Sequence, residues 1–434
     1  MRPARGRIFA PMKLHVNKSM LSGSVEMPGS KSHTIRAVVI ASLAAGTSRI
    51  RKPLVASDTL AAVSACRLFG AEILKQEDWM VHGVAGSPRV PDNVIDVGNS
   101  GTTLYIALGT AALVNGVTVL TGDGQIRRRP AGPLIDALNG LGAKVESTRG
   151  NDMAPIIVRG PMRGRKIELD GSKTSQYLTS LLINCPLAAG DTEIEVSNLI
   201  ERPYVEMTLG WLADQGIDVD NDDFRRFRIG GGQKYEQFER TISADFSSAT
   251  FFMCAAAITG SELELVGLDL TDTQGDKAVA GMLAQMGAEV EPTPNGLVIR
   301  GGPLHGAELD LNDTPDALPA LAVTACFAGG ETRLVNVPQA RLKETDRIAV
   351  MREELTKMGA DIEELADGLV IRGSKLCPAV VHGHFDHRVI MALAVAGLAL
   401  DGETTVYTAE ALDVTFPTFV ELMASIGGEI QAVV

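Results

Sequence analysis

The sequence predicts an α/β fold of two domains, each built from three repeated α/β units with buried helices and outer sheets. A helix pattern rich in small residues ends in a glycine and precedes a β-type segment, and it recurs roughly every seventy residues. A second helix pattern, also ended by a glycine and followed by a short strand, alternates with it. The glycines of the two patterns are Gly46, Gly116, Gly190, Gly260, Gly330 and Gly402, and Gly70, Gly142, Gly216, Gly287, Gly359 and Gly427.

The fifth copy shows how one repeat is read. Ile348, Met351 and Leu355 have the spacing of an amphipathic helix, which Gly359 ends. Asp367-Gly368 is a hairpin signal between two short β-type segments. Each copy therefore predicts a helix, a strand, a second helix and a hairpin.

Two helix patterns have no polar face, which predicts that they are buried. They run from Phe251 to Ile258 and from Leu318 to Phe327. One α/β repeat cannot cover such helices by itself. Six repeats therefore predict two domains of three, with the helices packed inside and the sheets outside.

Composition excludes several classes of protein. The chain has 434 residues and a formal net charge of -13, which argues against a nucleic-acid partner. The longest apolar run, Val389 to Leu400, is too short to cross a bilayer, so no membrane partner is expected. Nothing in the sequence indicates a dimer, so we expect a monomer.

The five cysteines predict neither a zinc site nor a disulfide framework, because they are odd in number and far apart. This usage fits a reducing cytoplasm. Residues 1–12 carry three arginines without an apolar core, and we interpret them as a disordered extension. The cysteines are Cys66, Cys185, Cys254, Cys326 and Cys377.

A polar segment stands just before the first helix of every copy. Helix N-termini present unpaired N–H groups and a partial positive charge, so they attract carboxylates and phosphates. We expect these helix starts to converge on a cleft between the domains that closes on an anionic ligand. The segments are Gly29-Ser30-Lys31-Ser32, Gly98-Asn99-Ser100-Gly101-Thr102, Ser172-Lys173-Thr174-Ser175-Gln176, Asp245-Phe246-Ser247-Ser248, Asp313-Thr314-Pro315-Asp316 and Asp386-His387-Arg388.

Taken singly, each segment has a simpler interpretation. Serine, threonine and aspartate at these positions are ordinary helix caps, and Asp316 and Glu344 fit as first-turn acids. Lys343, Asp346 and Arg347 fit an exposed ion-pair network, and His387 fits a structural histidine. Their joint occurrence in repeat register favours a binding site.

The conjunction of motifs resembles the family of 5-enolpyruvylshikimate-3-phosphate synthases, in order from about residue 13 to the C-terminus. The matching motifs are Pro28 to Arg36, Gly98 to Thr102, Arg129-Pro130, Ser175-Gln176, Lys343 to Arg347 and Asp386 to Arg388. The resemblance implies the two-domain enolpyruvyl-transferase fold, an inside-out α/β barrel. It places residues 28–243 in one domain and residues 13–27 plus 244–434 in the other, with the active site in the cleft.

The resemblance also implies a reaction. The enolpyruvyl group of phosphoenolpyruvate moves to the 5-hydroxyl of shikimate 3-phosphate and phosphate leaves, with neither metal nor organic cofactor. Asp316 matches the base on the 5-hydroxyl, Glu344 the proton donor to C3, and Lys31 a group near the bridging oxygen. Asp316 and Glu344 can exchange these duties between the two half-reactions.

The other implied contacts divide between the two substrates. Arginine forks suit carboxylate and phosphate, and lysine supplies a point charge. The phosphoenolpyruvate set is Lys31, Gly101, Arg129, Gln176, Arg347 and Arg388. The shikimate 3-phosphate set is Lys31, Ser32, Arg36, Thr174, Ser175, Gln176, Arg202, Asp316, Gln339 and Lys343.

Three positions depart from the family pattern. Val414 stands where many members carry a basic residue, and Tyr105-Ile106 replaces an Arg-Pro type pair. Glu201 stands where many place a phosphate-binding serine; its carboxylate is expected to repel phosphate, with Arg202 as a compensating charge. These departures predict an altered response to glyphosate, which occupies the phosphoenolpyruvate site in this family.

Two alternatives remain open. One is the sister enolpyruvyl transferase that acts on UDP-N-acetylglucosamine, although Asp123 to Arg129 contains no cysteine of the kind that family carries there. The other is a non-catalytic repeat scaffold that binds an anionic partner. A scaffold gives no reason to keep Lys31, Asp316 and Glu344 together.

Overall fold

The computed structural model describes residues 12–434, and its elements divide into two compact units. One unit contains Pro28–Asp245 and the short segment Thr271–Gly275. The other contains the described residues up to Met27, Phe246–Leu270 and Asp276–Val434. The predicted extension 1–12 lies outside the described residues except for Met12, whose N–H donates to Glu410 Oε2 at 3.0 Å.

Each unit contains six α-helices, two from each of its three repeats, among the described residues. In the unit of 28–245 they are Lys31–Leu43, Ser57–Leu68, Gly101–Leu113, Gly132–Gly140, Gln176–Asn184 and Arg202–Asp214. In the unit of 246–434 they are Phe246–Thr259, Ala278–Gln285, Leu318–Cys326, Arg347–Lys357, His387–Gly397 and Phe419–Ser425. Of the twelve glycines of the repeat patterns, all except Gly116 have a positive φ.

The helices without a polar face are buried, as predicted. Phe251, Phe252 and Met253 have no exposed surface, and every residue of Leu318–Cys326 is buried. The three helices that begin the repeats of this unit, Phe246–Thr259, Leu318–Cys326 and His387–Gly397, pack on one another pairwise. The starts of these helices are therefore the natural place for a shared site within the unit.

Within residues 12–434, six four-stranded sheets accompany the helices, one for each repeat. In the unit of 28–245 their strand orders are Glu239–Thr241, Thr47–Arg51, Trp79–His82, Glu72–Lys75; Ile95–Asp96, Val117–Thr121, Ile156–Arg159, Lys144–Ser147; and Lys166–Asp170, Thr192–Ser197, Arg226–Ile229, Val219–Asp222. In the other unit they are Ser22–Glu26, Glu262–Val266, Gly296–Arg300, Glu289–Thr293; Glu308–Asp310, Glu331–Val335, Gly368–Arg372, Asp361–Leu365; and Val380–His382, Thr404–Tyr407, Lys13–Val16, Ile430–Val433.

The hairpin predicted at Asp367-Gly368 is confirmed by the antiparallel pair Leu365↔Gly368, and the fourth copy has the same hairpin at Asn295-Gly296, with the pair Thr293↔Gly296. At Gly368 the pairing is tight enough that a Cβ would collide with the carbonyl oxygen of Leu334. The hairpin predicted for the sixth copy is wrong. The single strand Ile430–Val433 ends that copy, and Lys13–Val16 takes the place of the missing partner.

Each sheet also contains a leading strand that the sequence pattern did not predict. It pairs in parallel with the strand that follows the first helix, for example Lys166–Asp170 with Thr192–Ser197. These strands are as short as the two residues Ile95–Asp96, which leaves no periodic signal. In the second, third, fifth and sixth copies the leading strand comes directly before the polar segment and the first helix of the same copy, so it fixes where that helix begins.

Candidate active site

Lys31 opens the first helix of the unit of 28–245. The helix is capped by Ser30, whose Oγ accepts from the N–H of His33 at 3.5 Å. The Lys31 ammonium lies 3.4 Å from Oδ2 of Asp58, and both side chains are mostly buried. Sequence analysis missed Asp58, although its place in the first turn of Ser57–Leu68 was a usable signal.

Arg36 is locked on the same helix by neutral oxygen atoms. Its guanidinium donates to the backbone carbonyls of Ser32 at 3.0 Å and Tyr204 at 2.9 Å. It also donates to the hydroxyls of Thr208 and Thr179, at 2.9 and 3.3 Å. Burial lowers the pKa of Arg36 to about 10, although the nearby Tyr204 opposes the shift. The charge of Arg36 is thus stabilised by the dipoles of hydroxyl and carbonyl groups.

Arg129 lies against the start of the helix Gly101–Leu113. A Cβ at Gly101 would collide with the Arg129 guanidinium, so the absent side chain makes room for this arginine. The hydroxyls of Tyr105 and Tyr177 both donate to the carbonyl of Pro130, at 2.8 and 2.6 Å. Tyr105, one of the three departures, therefore fixes the backbone next to Arg129.

The hydroxyls predicted to bind a phosphate are occupied by a carboxylate of the chain itself. Oε2 of Glu201 accepts from the N–H and Oγ of Ser175 at 3.2 and 3.0 Å, and from Oγ1 of Thr174 at 3.4 Å. Glu201 is 1% exposed and has a left-handed backbone, with φ 55°. Gln176 follows at the first position of its helix, with its N–H donating to Thr174 Oγ1 at 3.3 Å.

Arg202 begins the next helix and is exposed, with its guanidinium 5.5 Å from the centre of the Phe224 ring. Its charge is therefore directed along the surface of the unit. Thr174 and Ser175, described above, both donate to the Glu201 carboxylate.

Asp316 is held between two arginines in the unit of 246–434. Nη1 of Arg347 donates to its Oδ1 at 2.6 Å, and Nη2 of Arg388 lies 2.9 Å from its Oδ2. Asp316 sits in the short turn Pro315–Ala317 before a buried helix, and Arg388 sits in the first turn of another. Two helix starts thus meet at one carboxylate.

Arg347 joins three carboxylates. Besides Asp316, it donates to Glu344 Oε2 at 2.6 Å and to Asp386 Oδ2 at 2.8 Å. Burial lowers the pKa of Arg347, but Asp386, Glu344 and Asp316 outweigh burial and leave the pKa raised. Thr345 completes the group by donating to Asp386 Oδ2 at 3.1 Å. The Arg347 charge is therefore fully compensated within the chain.

Gln339 and Lys343 lie on the segment that leads to Arg347. Gln339 is buried, and its Nε2 donates to the carbonyl of Asn312 at 2.9 Å. Lys343 is half-buried and directly follows the turn Pro338–Leu342. Asp346 caps the helix and pairs with Arg341 at 2.7 Å. Arg347 is buried, so it does not belong to an exposed network of the kind considered for Lys343, Asp346 and Arg347.

His387 lies beside this group but is buried, with a pKa lowered to about 3. Burial is the main cause, and it outweighs the attraction of Glu344 and Asp386. The imidazole is therefore neutral at pH 7. Val414 ends the turn Ala409–Val414 and is half-buried, so this position carries no charge.

Chemically, the unit of 246–434 presents three acids and two arginines in one group. The unit of 28–245 presents Lys31 and Arg129 at two helix starts, with hydroxyl donors at a third. No helix in residues 12–434 has the length and apolar character needed to cross a membrane.

The repeat architecture together with these groups is that of the two-domain enolpyruvyl transferases. The fold is similar to a solved EPSP synthase from Acinetobacter baumannii, with a TM-score of 0.83 and 28% identity over 98% of this chain and 100% of that one. Residues 16–423 match the family model of EPSP synthase (3-phosphoshikimate 1-carboxyvinyltransferase). The chain belongs to this family, as the motif resemblance predicted.

Curated relatives with the name 3-phosphoshikimate 1-carboxyvinyltransferase match almost the whole chain. The relative from Ruminiclostridium cellulolyticum is 57% identical over 423 residues, covering 97% of this chain and 100% of its own. The relative from Acetivibrio thermocellus is 56% identical, covering 97% and 99%. A relative from Methanocella arvoryzae is 47% identical, covering 97% and 100%.

Proposed function

We propose that this chain transfers the enolpyruvyl group of phosphoenolpyruvate to the 5-hydroxyl of shikimate 3-phosphate, releasing phosphate. The observation that carries the proposal is the group around Arg347, in which Asp316 and Glu344 are both bound to one buried guanidinium beside Arg388. Addition followed by elimination needs a base and an acid that keep fixed positions. A guanidinium that binds both carboxylates holds them in fixed positions.

Residues of both units act on the same two substrates in this proposal. Both substrates are multiply anionic, so fixed cations and helix ends replace water around them. The phosphoenolpyruvate residues are Lys31, Gly101, Arg129, Gln176, Arg347 and Arg388. The shikimate 3-phosphate residues are Lys31, Ser32, Arg36, Thr174, Ser175, Gln176, Arg202, Asp316, Gln339 and Lys343.

In the addition step, Asp316 takes the proton of the 5-hydroxyl as its oxygen bonds to C2 of phosphoenolpyruvate. The C2–C3 double bond is converted to a single bond, and C3 takes a proton from Glu344. The product is a tetrahedral intermediate with phosphate still attached to C2. Positioned general acids and bases typically contribute roughly 10²- to 10⁴-fold.

In the elimination step, the Glu344 carboxylate removes a proton from the methyl carbon C3. The electron pair of that C–H bond forms the new double bond, and the C2–O bond to phosphate breaks. Lys31 stabilises the departing bridging oxygen, and the proton held by Asp316 returns to the phosphate. Both acids are then restored to their starting states.

The test is phosphate release by the purified full chain with phosphoenolpyruvate and shikimate 3-phosphate. UDP-N-acetylglucosamine replaces shikimate 3-phosphate in the control. Release with the first pair alone is expected, while release only with the sugar nucleotide favours the sister transferase. A folded protein that releases none with either acceptor contradicts the proposal and favours a binding scaffold.

The acid and base assignments are separated by isotope exchange. In deuterated water, we expect Glu344→Gln to slow deuterium entry at C3 roughly 10²-fold or more. Asp316→Asn is expected to block formation of the tetrahedral intermediate in a single turnover. Exchange at C3 that needs Asp316 and not Glu344 would reverse the two assignments.

We also propose that Val414 alters the response to glyphosate. Its half-buried valyl side chain supplies no charge where many members of the family supply a base. Val414→Lys is expected to strengthen inhibition at matched phosphoenolpyruvate saturation, with Val414→Met as the control for side-chain length. Identical inhibition curves for both variants and wild type contradict this role.

We infer that the protein acts in the cytoplasm as a monomer. Four of its cysteines are buried free thiols and Cys377 is an exposed one, which suits a reducing compartment. Light scattering of the purified chain tests the monomer, which predicts a mass near 45.9 kDa.

A further inference from the structure

A second carboxylate on the helix Arg347–Lys357 binds the segment that carries Asp386. Glu354 has no exposed side-chain surface. Its Oε2 accepts from the N–H of His382 at 3.0 Å, and its Oε1 accepts from His384 Nε2 at 2.7 Å. Because a carboxylate only accepts, the proton of this bond belongs to His384 Nε2.

Glu354 and Arg347 are seven residues apart, so they lie on one face of the helix about 10 Å from each other. Arg347 binds Asp386 at the end of the segment 382–386, and Glu354 binds His382 and His384 at its beginning. The segment is therefore attached to one helix at two points.

The conformation held between these points is unfavourable. His384 and Phe385 have φ values of 53° and 58°, so two consecutive residues with side chains are left-handed. Such backbone persists only where surrounding contacts enforce it. Here His384 N–H donates to His382 Nδ1 at 2.9 Å, and Phe385 N–H donates to Thr408 Oγ1 at 3.3 Å.

Lys357 supplies the positive charge that a buried carboxylate requires. Its Nζ lies 2.7 Å from Glu354 Oε1 and 3.0 Å from Glu353 Oε1. Glu353, Glu354 and His384 have the proximity of metal ligands, but both carboxylates already bind this ammonium. Burial raises the pKa of Glu354, and the hydrogen bonds from Lys357, His384 and His382 outweigh it and lower the pKa.

We propose that Glu354 is a positioning residue: it holds the strained segment 382–386 so that Asp386 orients Arg347 and Arg388 faces Asp316. Asp386 is the N-cap of the helix His387–Gly397 and accepts from the N–H of Arg388 at 2.9 Å. A displacement of the segment therefore moves both arginines that bind Asp316. This inference rests on the proposed function of that group.

The main test compares Glu354→Gln with Glu353→Gln in the full chain. Glu353 is the matched control, because it is an exposed neighbour on the same helix that also binds Lys357. Glu354→Gln is expected to lower kcat about 10- to 100-fold, as small misplacements of reacting groups do. Glu353→Gln is expected to keep the wild-type kcat. Equal kcat values for the two variants overturn the proposal.

Rescue separates positioning from general stability. Glycine takes a left-handed φ without cost, so Phe385→Gly added to Glu354→Gln is expected to recover most of the lost kcat. Phe385→Gly alone is expected to stay within about threefold of wild type. A loss that persists in the double variant, with unfolding by urea restored to normal, contradicts the proposed positioning.

Amide hydrogen exchange supplies a readout that does not depend on catalysis. Glu354→Gln is expected to speed exchange in residues 383–388, and Glu353→Gln is not. If wild type releases no phosphate but this difference is seen, the proposed function fails while the positioning contact stands. If wild type is active and no difference is seen in exchange or kcat, the positioning proposal fails alone.

A second variant covers the case in which Glu354→Gln does not fold. His384→Ala removes one bond to Glu354 and leaves the Glu354 carboxylate and its bond to the N–H of His382 in place. It is expected to lower kcat and speed exchange in the same segment. Wild-type values of both quantities overturn the proposal.

Discussion

Two almost fully buried arginines, one in each unit, carry their charge in opposite surroundings. Arg36 donates only to hydroxyl and backbone carbonyl oxygens in its described hydrogen bonds, and burial lowers its pKa to about 10. Arg347 suffers the same burial, but three carboxylates outweigh it and its pKa is raised.

The difference separates two uses of a buried cation. Neutral dipoles stabilise the charge of Arg36 without cancelling it, so the charge remains available to attract an anion. The charge of Arg347 is exceeded by that of its three acidic partners, so the role of this arginine is to hold the acidic side chains in position. We therefore expect the unit of 28–245 to dominate anion attraction and the unit of 246–434 to dominate proton transfer.

The largest expected effect comes from removing each arginine in turn. Arg347→Gln leaves the fully buried Asp386 without its cation, which should lower the free energy of unfolding by about 3–5 kcal/mol. Arg36→Gln breaks bonds to neutral groups and should cost about 1–3 kcal/mol. Urea unfolding measures both. Equal losses would show that the carboxylates do not distinguish the two sites.

Acid should weaken the unit of 246–434 first. The folded pKa of His387 is about 3 against 6.5 for the unfolded chain, so the unfolded chain binds the proton first and stability falls as pH drops below 6.5. The loss should reach roughly 3 kcal/mol by pH 4. His387→Gln should flatten stability between pH 6.5 and 4.

Asp272 provides the contrast in the other unit. Its carboxylate binds His33 Nε2 at 3.0 Å, and its pKa is lowered to about 2 despite the opposing effect of burial. A depressed acid pKa stabilises the fold above the unfolded value of 3.8, and this contribution is lost as pH falls through about 2. Asp272→Asn should therefore leave the change between pH 6.5 and 4 intact. A flattened profile in this variant contradicts the assignment to His387.

Glu201 weakens the anion attraction expected of the unit of 28–245. Glu201→Ser frees the hydroxyls of Thr174 and Ser175 and removes a negative charge from them. We expect the KM for shikimate 3-phosphate to fall about tenfold, equivalent to about 1.4 kcal/mol. Glu206→Ser, an exposed change on the same helix, is the control and should leave that KM unchanged. A rise in KM would mean that Glu201 assists binding.

The smallest expected effect concerns the carbonyl of Pro130. Tyr105→Phe removes one of its two phenolic donors and should cost about 1 kcal/mol of stability, since Tyr177 still donates. The double change of Tyr105 and Tyr177 to Phe should cost more than the sum of the single changes. Additive losses would show that the two donors act independently.

The sequence was sufficient for the repeats and for the family. The twelve α-helices in the described part of the chain follow from glycine spacing and apolar periodicity because both are local signals. The short leading strands and the partner of Ile430–Val433 could not be found this way. The first lack a periodic length, and Lys13–Val16 joins its sheet from the opposite end of the chain.

The candidate site shows the same distinction between local features, which the sequence predicts, and non-local contacts, which it does not. The predicted helix starts identified Lys31, Asp316 and Arg388 as candidates, because helix caps and first turns can be recognised in the sequence. The carboxylate of Glu201 on Ser175 and that of Glu354 on His384 were not readable. Both are contacts across more than twenty residues, set by left-handed backbone at Glu201 and at His384.

The strand Lys13–Val16 determines which unit can fold first during translation. It pairs with Thr404–Tyr407 and Ile430–Val433, so residues translated early complete a sheet whose other strands are translated last. The unit of 28–245 obtains its leading strand Glu239–Thr241 long before that. Because domains generally fold as units during translation, the unit of 28–245 should become protease-resistant on the nascent chain before the strands that pair with Lys13–Val16 have been synthesised.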